Sequence, residues 1–439
     1  MYALINARIY DYNQYIDRGF IVFNKKIVSC GEMDKYIKKT NYKEIDCQGK
    51  IIIPAFVSGH THFYSSLARG ASFDFNPDNF MDILKQMWWK LDHFLDKDMI
   101  YSSALMGGLD QLKKGTTTLI DHHASYKITN SLNIIKSAIN DRLKLRTVLA
   151  FETSDRFDVK KAIEENITYI KNNNTNNAAG LFGMHASLSL SDDTLTMIAK
   201  HIDDFGIHIH VAESLMDEEE CEKKYGMRVV ERLDKYNLIN DKSLLVHCTH
   251  INEVEMDIIK ARKATIVINP TSNLNNAVGI ANIKKFLDKG IRVIIGNDGL
   301  IQSQAFEYMN TYYLSHLKTK SPTGFGLADL RKIIKNTYEY INMLLKTNLG
   351  SFTKASEADL IVIPYEPYTK INGENAFAHL FFGVFPGLLP EKVFADGKCL
   401  IDNYKLKLDL TKERKNAIEQ ANKLWKIIEK EGKNLEFKN

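Results

Sequence analysis

This 439-residue sequence has little that would stabilise it through disulfides or a thiolate metal site. Its five cysteines, Cys30, Cys47, Cys221, Cys248 and Cys399, are scattered, odd in number and form no CxxC pair. They read as reduced thiols of a cytoplasmic protein. Strong charge of one sign is also missing: the net charge is +4, and no basic run interleaved with aromatics marks a nucleic-acid track. Nucleic acid is therefore excluded as the main partner. The opening segment MYALINARIYDYNQYIDRGF has no basic stretch leading into an apolar one, so no secretory signal is expected. The longest weakly polar stretch, Ala376 to Pro390, is too short to span a bilayer and is broken by His379, Gly383, Pro386 and Gly387. The expectation is a soluble cytoplasmic protein with no membrane partner.

What is present is a globular composition, 44% hydrophobic and 26% charged, on a chain long enough for a barrel core and a smaller accessory domain. Short β-rich runs fill the first fifty residues and return near the end as ADLIVIPYE, EKVFADGKCLI and YKLKLDL. Residues 1–54 and 358–410 are expected to form one composite β-sandwich domain, interrupted by residues 55–357, with a C-terminal helix and tail over 411–439. Between the flanks lie eight apolar runs, each followed by a longer helical segment. They are IIIPAFVSGHTH, TLIDHH, RTVLAFET, LFGMHAS, GIHIHVAE, SLLVHCTH, TIVINPTSN and RVIIGNDG. Eight βα alternations predict an α/β fold, a TIM-like (β/α)8 barrel.

In such a barrel the chemistry collects where strands end at the C-terminal face. His60 and His62 end the first run, His122 and His123 the second, and His185 lies on the fourth. His210 and Glu213 close the fifth, His247 and His250 the sixth, and Asp298 the eighth. The i, i+2 spacing of His60 and His62 turns both imidazoles to one strand face, where they can converge on one ion. An HxH pair alone is a weak signal, equally suited to two hydrogen-bonded histidines; His210 and Asp298 on other strand ends give it weight. Of the pair His208 and His210, the second is nearer the strand end and is assigned to the metal. His208 is then a hydrogen-bonded core residue, and Glu213 is left for proton transfer. Three histidines and one carboxylate leave a position open for water, as a catalytic site requires.

The motifs IPAFVSGHTH, KKGTTTLIDHH, HIHVAES, LLVHCTH, NPTSN and GNDG occur in an order that resembles the cytosine-deaminase-like and chlorohydrolase-like branch of the amidohydrolase superfamily. Within that branch GHTHFYSSLARG, MWWKLDHFLD and DHHAS are most similar to the aminohydrolases called SsnA. The resemblance implies one divalent metal on His60, His62, His210 and Asp298; zinc is the first expectation for so imidazole-rich a site, and iron the alternative. It implies proton transfer by Glu213 and Asp298, and contact between His247 and the attacking water, with His250 the weaker candidate of its pair. Ile268 stands where relatives often have histidine, and LFGMHAS offers no lysine for a bridging carbamate, which favours one metal over two.

The reaction expected is hydrolytic release of ammonia from an amino-substituted heterocycle. A chlorohydrolase or cyclic-amide hydrolase on the same site is the alternative, and a non-catalytic scaffold of the same fold a further one. His185, His122, His123, Trp88, Trp89 and Asp92 are the candidates for substrate contact, the tryptophans by stacking on a planar ring. Arg69 could anchor an anionic group or pair with a neighbouring carboxylate, and the second role is slightly preferred. A homodimer acting on a small heterocycle completes the expectation.

Overall fold

A computed structural model describes residues 1–71, 74–300, 302–432, 435 and 437. Its centre is a barrel of parallel strands: β1 (Phe56–Thr61), β2 (Thr116–His123), β3 (Arg146–Phe151), β4 (Phe182–Ala186), β5 (Ile207–Val211), β6 (Leu244–His247), β7 (Thr265–Ile268) and β8 (Arg292–Ile295). Almost every residue in these strands is buried, which explains why they read as continuous apolar runs: helices cover the outside and side chains fill the inside.

β1 to β3 pair in one sheet and β4 to β8 in another, and the circle closes at two seams. At one, Thr61 lies opposite Asp298; at the other, Thr153 lies opposite Met184. A short strand, Ala178–Gly180, pairs with β3 in the same register, Thr147 opposite Ala178. Ala178 to Ala186 is therefore one fourth strand, broken at Leu181. The buried side chain of Asn166 bridges the break: its Oδ1 accepts from the amides of Phe151 (2.9 Å) and Gly183 (3.1 Å), and its Nδ2 donates to the Phe151 carbonyl (2.8 Å). Glycine permits the close approach at both seams. A Cβ on Gly183 would lie 2.2 Å from the Phe151 oxygen, and one on Gly59 would lie 2.8 Å from the Ile295 oxygen.

Apart from β2, the strands stop earlier than the apolar runs suggest. The first run divides, Ile51–Pro54 joining the terminal sheet and Phe56–Thr61 the barrel. The seventh was expected to be extended to Asn273 but ends at Ile268, because Pro270 starts a helix over Pro270–Asn275. Proline lacks the N–H that a strand needs, and the first helical position does not use it.

The terminal segments come together as expected, in a nine-stranded sheet where Ile51–Pro54 lies between Tyr2–Tyr10 and Leu360–Ile363. Phe23 and Phe394 are four strand spacings apart in this sheet, about 19 Å if it were flat. Their ring centroids are 5.1 Å apart. The sheet thus rolls over on itself and encloses a core that includes Leu4, Ile21, Ile52, Phe352 and Leu360. Arg146 of β3 ties the barrel to it through Asp359 (3.2 Å) and Asp396 (3.5 Å).

The C-terminal helix, Thr411–Glu431, packs on the barrel helix Lys97–Lys113, and its Trp425 Nε1 donates to the Leu67 carbonyl at 2.8 Å. Most of the expected tail beyond Gly432 lies outside the described residues. Among the described residues no helix is long and apolar enough to cross a membrane.

Candidate active site

His60 and His62 leave the end of β1 on one face and meet His210 from the end of β5. His62 Nε2 and His210 Nε2 converge to 3.2 Å. Each of these rings is fixed from behind. His62 Nδ1 donates to the His122 carbonyl (2.6 Å) and His210 Nδ1 to the His185 carbonyl (2.9 Å), while His60 Nδ1 meets His208 Nε2 at 2.8 Å. A ring that donates through Nδ1 keeps its Nε2 lone pair for an ion. His60 Nε2 is buried with no hydrogen-bond partner among the described residues. Burial, followed by the neighbouring imidazoles, holds the pKa of His60 and His210 well below the usual histidine value. Burial thus favours their neutral form, the one that coordinates a metal. Three bare imidazole nitrogens beside a carboxylate suit a divalent ion of the zinc type.

That carboxylate is Asp298, just past β8, with Oδ1 3.3 Å from His62 Nε2 and 3.9 Å from His60 Nε2. Its Oδ2 is 3.6 Å from His247 Nε2, and Glu213 Oε2 reaches the same nitrogen at 3.3 Å. Asn273 Oδ1 accepts from His247 Nδ1 (2.8 Å), and Asn276 Nδ2 donates to Glu213 Oε1 (3.2 Å). The environment drives the two carboxylates apart. Burial, with the Asp298 charge adding to it, pushes Glu213 up to about 7. Burial also raises Asp298, but the imidazoles of His62, His247 and His210 outweigh it and hold that carboxyl below its usual range. Local backbone makes the convergence possible: Ala212, His247 and Asp298 take φ of +46°, +69° and +57°, left-handed turns at three strand ends. For residues other than glycine such turns cost about 1–2 kcal/mol each.

Above these groups opens a pocket whose wall includes Trp88, Trp89, Asp92 and His185, all four expected at the substrate. Asp92 does not stand free. Arg156 binds it at 2.9 Å, binds Glu152 at 2.7 Å, and lies 4.6 Å over the Trp89 ring. Burial outweighs that cation and raises Asp92 to about 7.

His122 and His123, also expected at the substrate, do not line this pocket. Consecutive strand residues face opposite ways. His122 is buried against the His208 and His210 rings with its Nε2 donating to the Met184 carbonyl (3.0 Å), and its main chain, not its ring, serves the site. His123 turns the other way, toward Ser125 Oγ (2.9 Å) and the Phe151 ring. His208 is the core partner expected, Arg69 pairs with Asp110 at 2.8 Å, and His250 is occupied by the Val278 carbonyl at 2.6 Å. Glu152, Arg156, Asp217, Asn273 and Asn276 were missed. The asparagines lie in the visible NPTSNLNN run, whereas the other three carry no motif.

The amidohydrolase family model matches residues 51–400, most of the chain and all eight barrel strands. The chain belongs to the amidohydrolase family. This amidohydrolase is 28% identical over 398 residues to a 5-methylthioadenosine/S-adenosylhomocysteine deaminase of Thermococcus sibiricus, covering 88% of this chain and 90% of that one. It is likewise 28% identical over 422 residues to a 5′-deoxyadenosine deaminase of Methanococcus maripaludis, covering 92% and 94%. Among solved structures it resembles a zinc-bound adenosine deaminase from Xanthomonas campestris, with a TM-score of 0.82 at 17% identity over 96% of this chain and 98% of that one. It also resembles the zinc complex of the atrazine chlorohydrolase TrzN from Arthrobacter aurescens, with a TM-score of 0.80 at 18% identity over 96% and 100%. At these identities the solved structures speak for the fold.

Proposed function

We propose that this amidohydrolase is a metal-dependent deaminase that replaces the exocyclic amino group of a nitrogen heterocycle, above all an aminopurine, with oxygen. The observation that carries the reading is geometric: beside the converging nitrogens of His60, His62 and His210, the carboxylates of Glu213 and Asp298 stand on either side of His247 Nε2, the first with its pKa raised and the second with its pKa lowered. Two carboxyl groups pushed apart in this way divide the work of acid and base. His60, His62, His210 and Asp298 would hold one divalent ion, with zinc favoured by the donor set and iron compatible with it. When bound, such an ion supplies Lewis acidity that makes water nucleophilic near neutral pH.

Asp298 accepts the proton of the attacking water as its oxygen bonds to the amino-bearing carbon. Glu213 delivers a proton to the adjacent ring nitrogen. His247, its ring pinned by Asn273, hydrogen-bonds the attacking oxygen. Asp298 then returns its proton to the amino nitrogen, the carbon–nitrogen bond breaks and ammonia leaves, while the new hydroxyl gives its proton back to Glu213. Trp88 and Trp89 would flank the ring, and His185 and Asp92 would meet its polar edge or substituent.

The deaminases named above act, by their names, on compounds that share adenine, and this supports an aminopurine. The exposed Phe306, Tyr313 and Leu317 of the helix Gln304–Thr319, with the exposed Phe382 6.5 Å from the Tyr312 ring of the same helix, support assembly as a homodimer, and the reduced cysteines a cytoplasmic setting. The test is ammonia release from a panel of adenine nucleosides, aminopyrimidines, pteridines and aminotriazines by metal-replete protein. Metal-loaded protein that released no ammonia from any of them would overturn the reading.

A further inference from the structure

Glu213 enters the site from Ala212, and the left-handed backbone of Ala212 is one that an alanine adopts only under constraint. The His250 amide donates to the Ala212 carbonyl at 3.2 Å, and the Ala212 amide is held by Asp217. Asp217 Oδ2 accepts from the Ala212 amide at 2.9 Å, and its Oδ1 accepts from the Leu188 amide at 3.3 Å. Asp217 belongs to the first turn of the helix Leu215–Tyr225, is 2% exposed, and borders the pocket. A single buried carboxylate thus joins the loop after β5, which carries Glu213, to the loop after β4, which follows His185. Arg232 secures the β4 loop from behind, donating to the carbonyls of Ser187 (3.1 Å) and Leu190 (2.7 Å). That loop is fixed on one side by a cation and on the other by Asp217.

We infer that Asp217 is a positioning residue, which holds the turn at Ala212 and so sets where the Glu213 carboxylate and the His185 ring stand relative to the substrate. It is not a catalytic residue, since each of its oxygens is engaged by a main-chain amide. The inference rests on the reading of Glu213 as the proton carrier, and it concerns main-chain geometry, so it can be measured without turnover.

The experiment compares wild type, Asp217→Ala and the double variant Ala212→Gly/Asp217→Ala by metal content, steady-state kinetics and amide hydrogen exchange. Asp217→Ala is expected to keep its metal, to lose kcat by about 10²-fold with a smaller change in KM, as displaced catalytic groups do. Exchange should quicken in the segments around Ala212 and Leu188. The glycine in the double variant takes φ > 0 without a steric penalty and is expected to recover most of the lost kcat. A general loss of stability would not respond to that second change. Should Asp217→Ala fail to fold, Asp217→Asn, which sets an amide NH2 against one of the two donors, is read by the same measurements. Unchanged kcat and exchange, loss of metal along with activity, or no recovery in the double variant would each overturn the inference. If the wild type turns over no amino-heterocycle, the deaminase reading fails, and the exchange data still decide the role of Asp217.

Discussion

Glu213 Oε2 and His247 Nε2 stand 3.3 Å apart at the ends of adjacent strands, although in register it is Val211, not Glu213, that lies opposite His247. The turn at Ala212 removes the difference and folds the carboxylate back over the barrel mouth. The site is therefore built from strand ends that turn aside, and its chemistry depends on those turns.

Glu213→Gln is expected to retain metal and lose turnover by about 10²–10⁴-fold, the range associated with a positioned proton donor or acceptor. The amide preserves shape and removes the titrating proton. Near-normal kcat with full metal occupancy would show that another group carries the proton.

His62→Ala should act in the opposite order, with most of the bound metal lost and activity lost in consequence. His62 is held by the His122 carbonyl and stands beside both His210 and Asp298. Metal analysis after gel filtration checks this, and full occupancy in the variant would remove His62 from the ligand set.

The pH dependence has a defined sign. A proton donor must hold its proton, and burial places Glu213 at about 7. kcat/KM is therefore expected to level off on the acid side of that value and to fall about tenfold per unit above it. Asp298, held below its usual range, stays ionised across this window. A rate that climbs from pH 7 to 9 would contradict the assignment of donor and acceptor.

Arg156→Met should cost about 3–5 kcal/mol of stability, because it leaves Asp92 and Glu152 buried without their cation. Denaturant unfolding measures the loss, and substrate affinity should fall with it, since Asp92 and Arg156 share the pocket wall. A loss under about 1 kcal/mol, the scale of an exposed pair, would mean the two carboxylates take up protons at no appreciable cost.

The parts of this architecture that were legible in the sequence are those governed by periodicity. Eight buried strands read as eight apolar runs, and the HxH spacing shows two imidazoles on one face. The pleat also requires that His122 and His123 face opposite ways, yet nothing local says which faces the barrel, and neither ring reaches the pocket. Pro270 carried a helix-start signal that the apolar run before it obscured. Arg156, Glu152 and Asp217 are single charged residues in unremarkable surroundings, and their partners come from distant segments. Only tertiary structure brings a guanidinium between Asp92 and Glu152, or two loop amides onto one carboxylate.

The two seams of the barrel have a mechanical consequence. The half built on β1 to β3 supplies His60 and His62, and the half built on β4 to β8 supplies His210 and Asp298. An ion gripped by all four would act as a rivet across the barrel mouth, tying β1 to β5 and β8 over the glycine-lined joint where β1 meets β8. Its removal would then be felt along that joint as well as in the chemistry, with the barrel loosening where Thr61 meets Asp298.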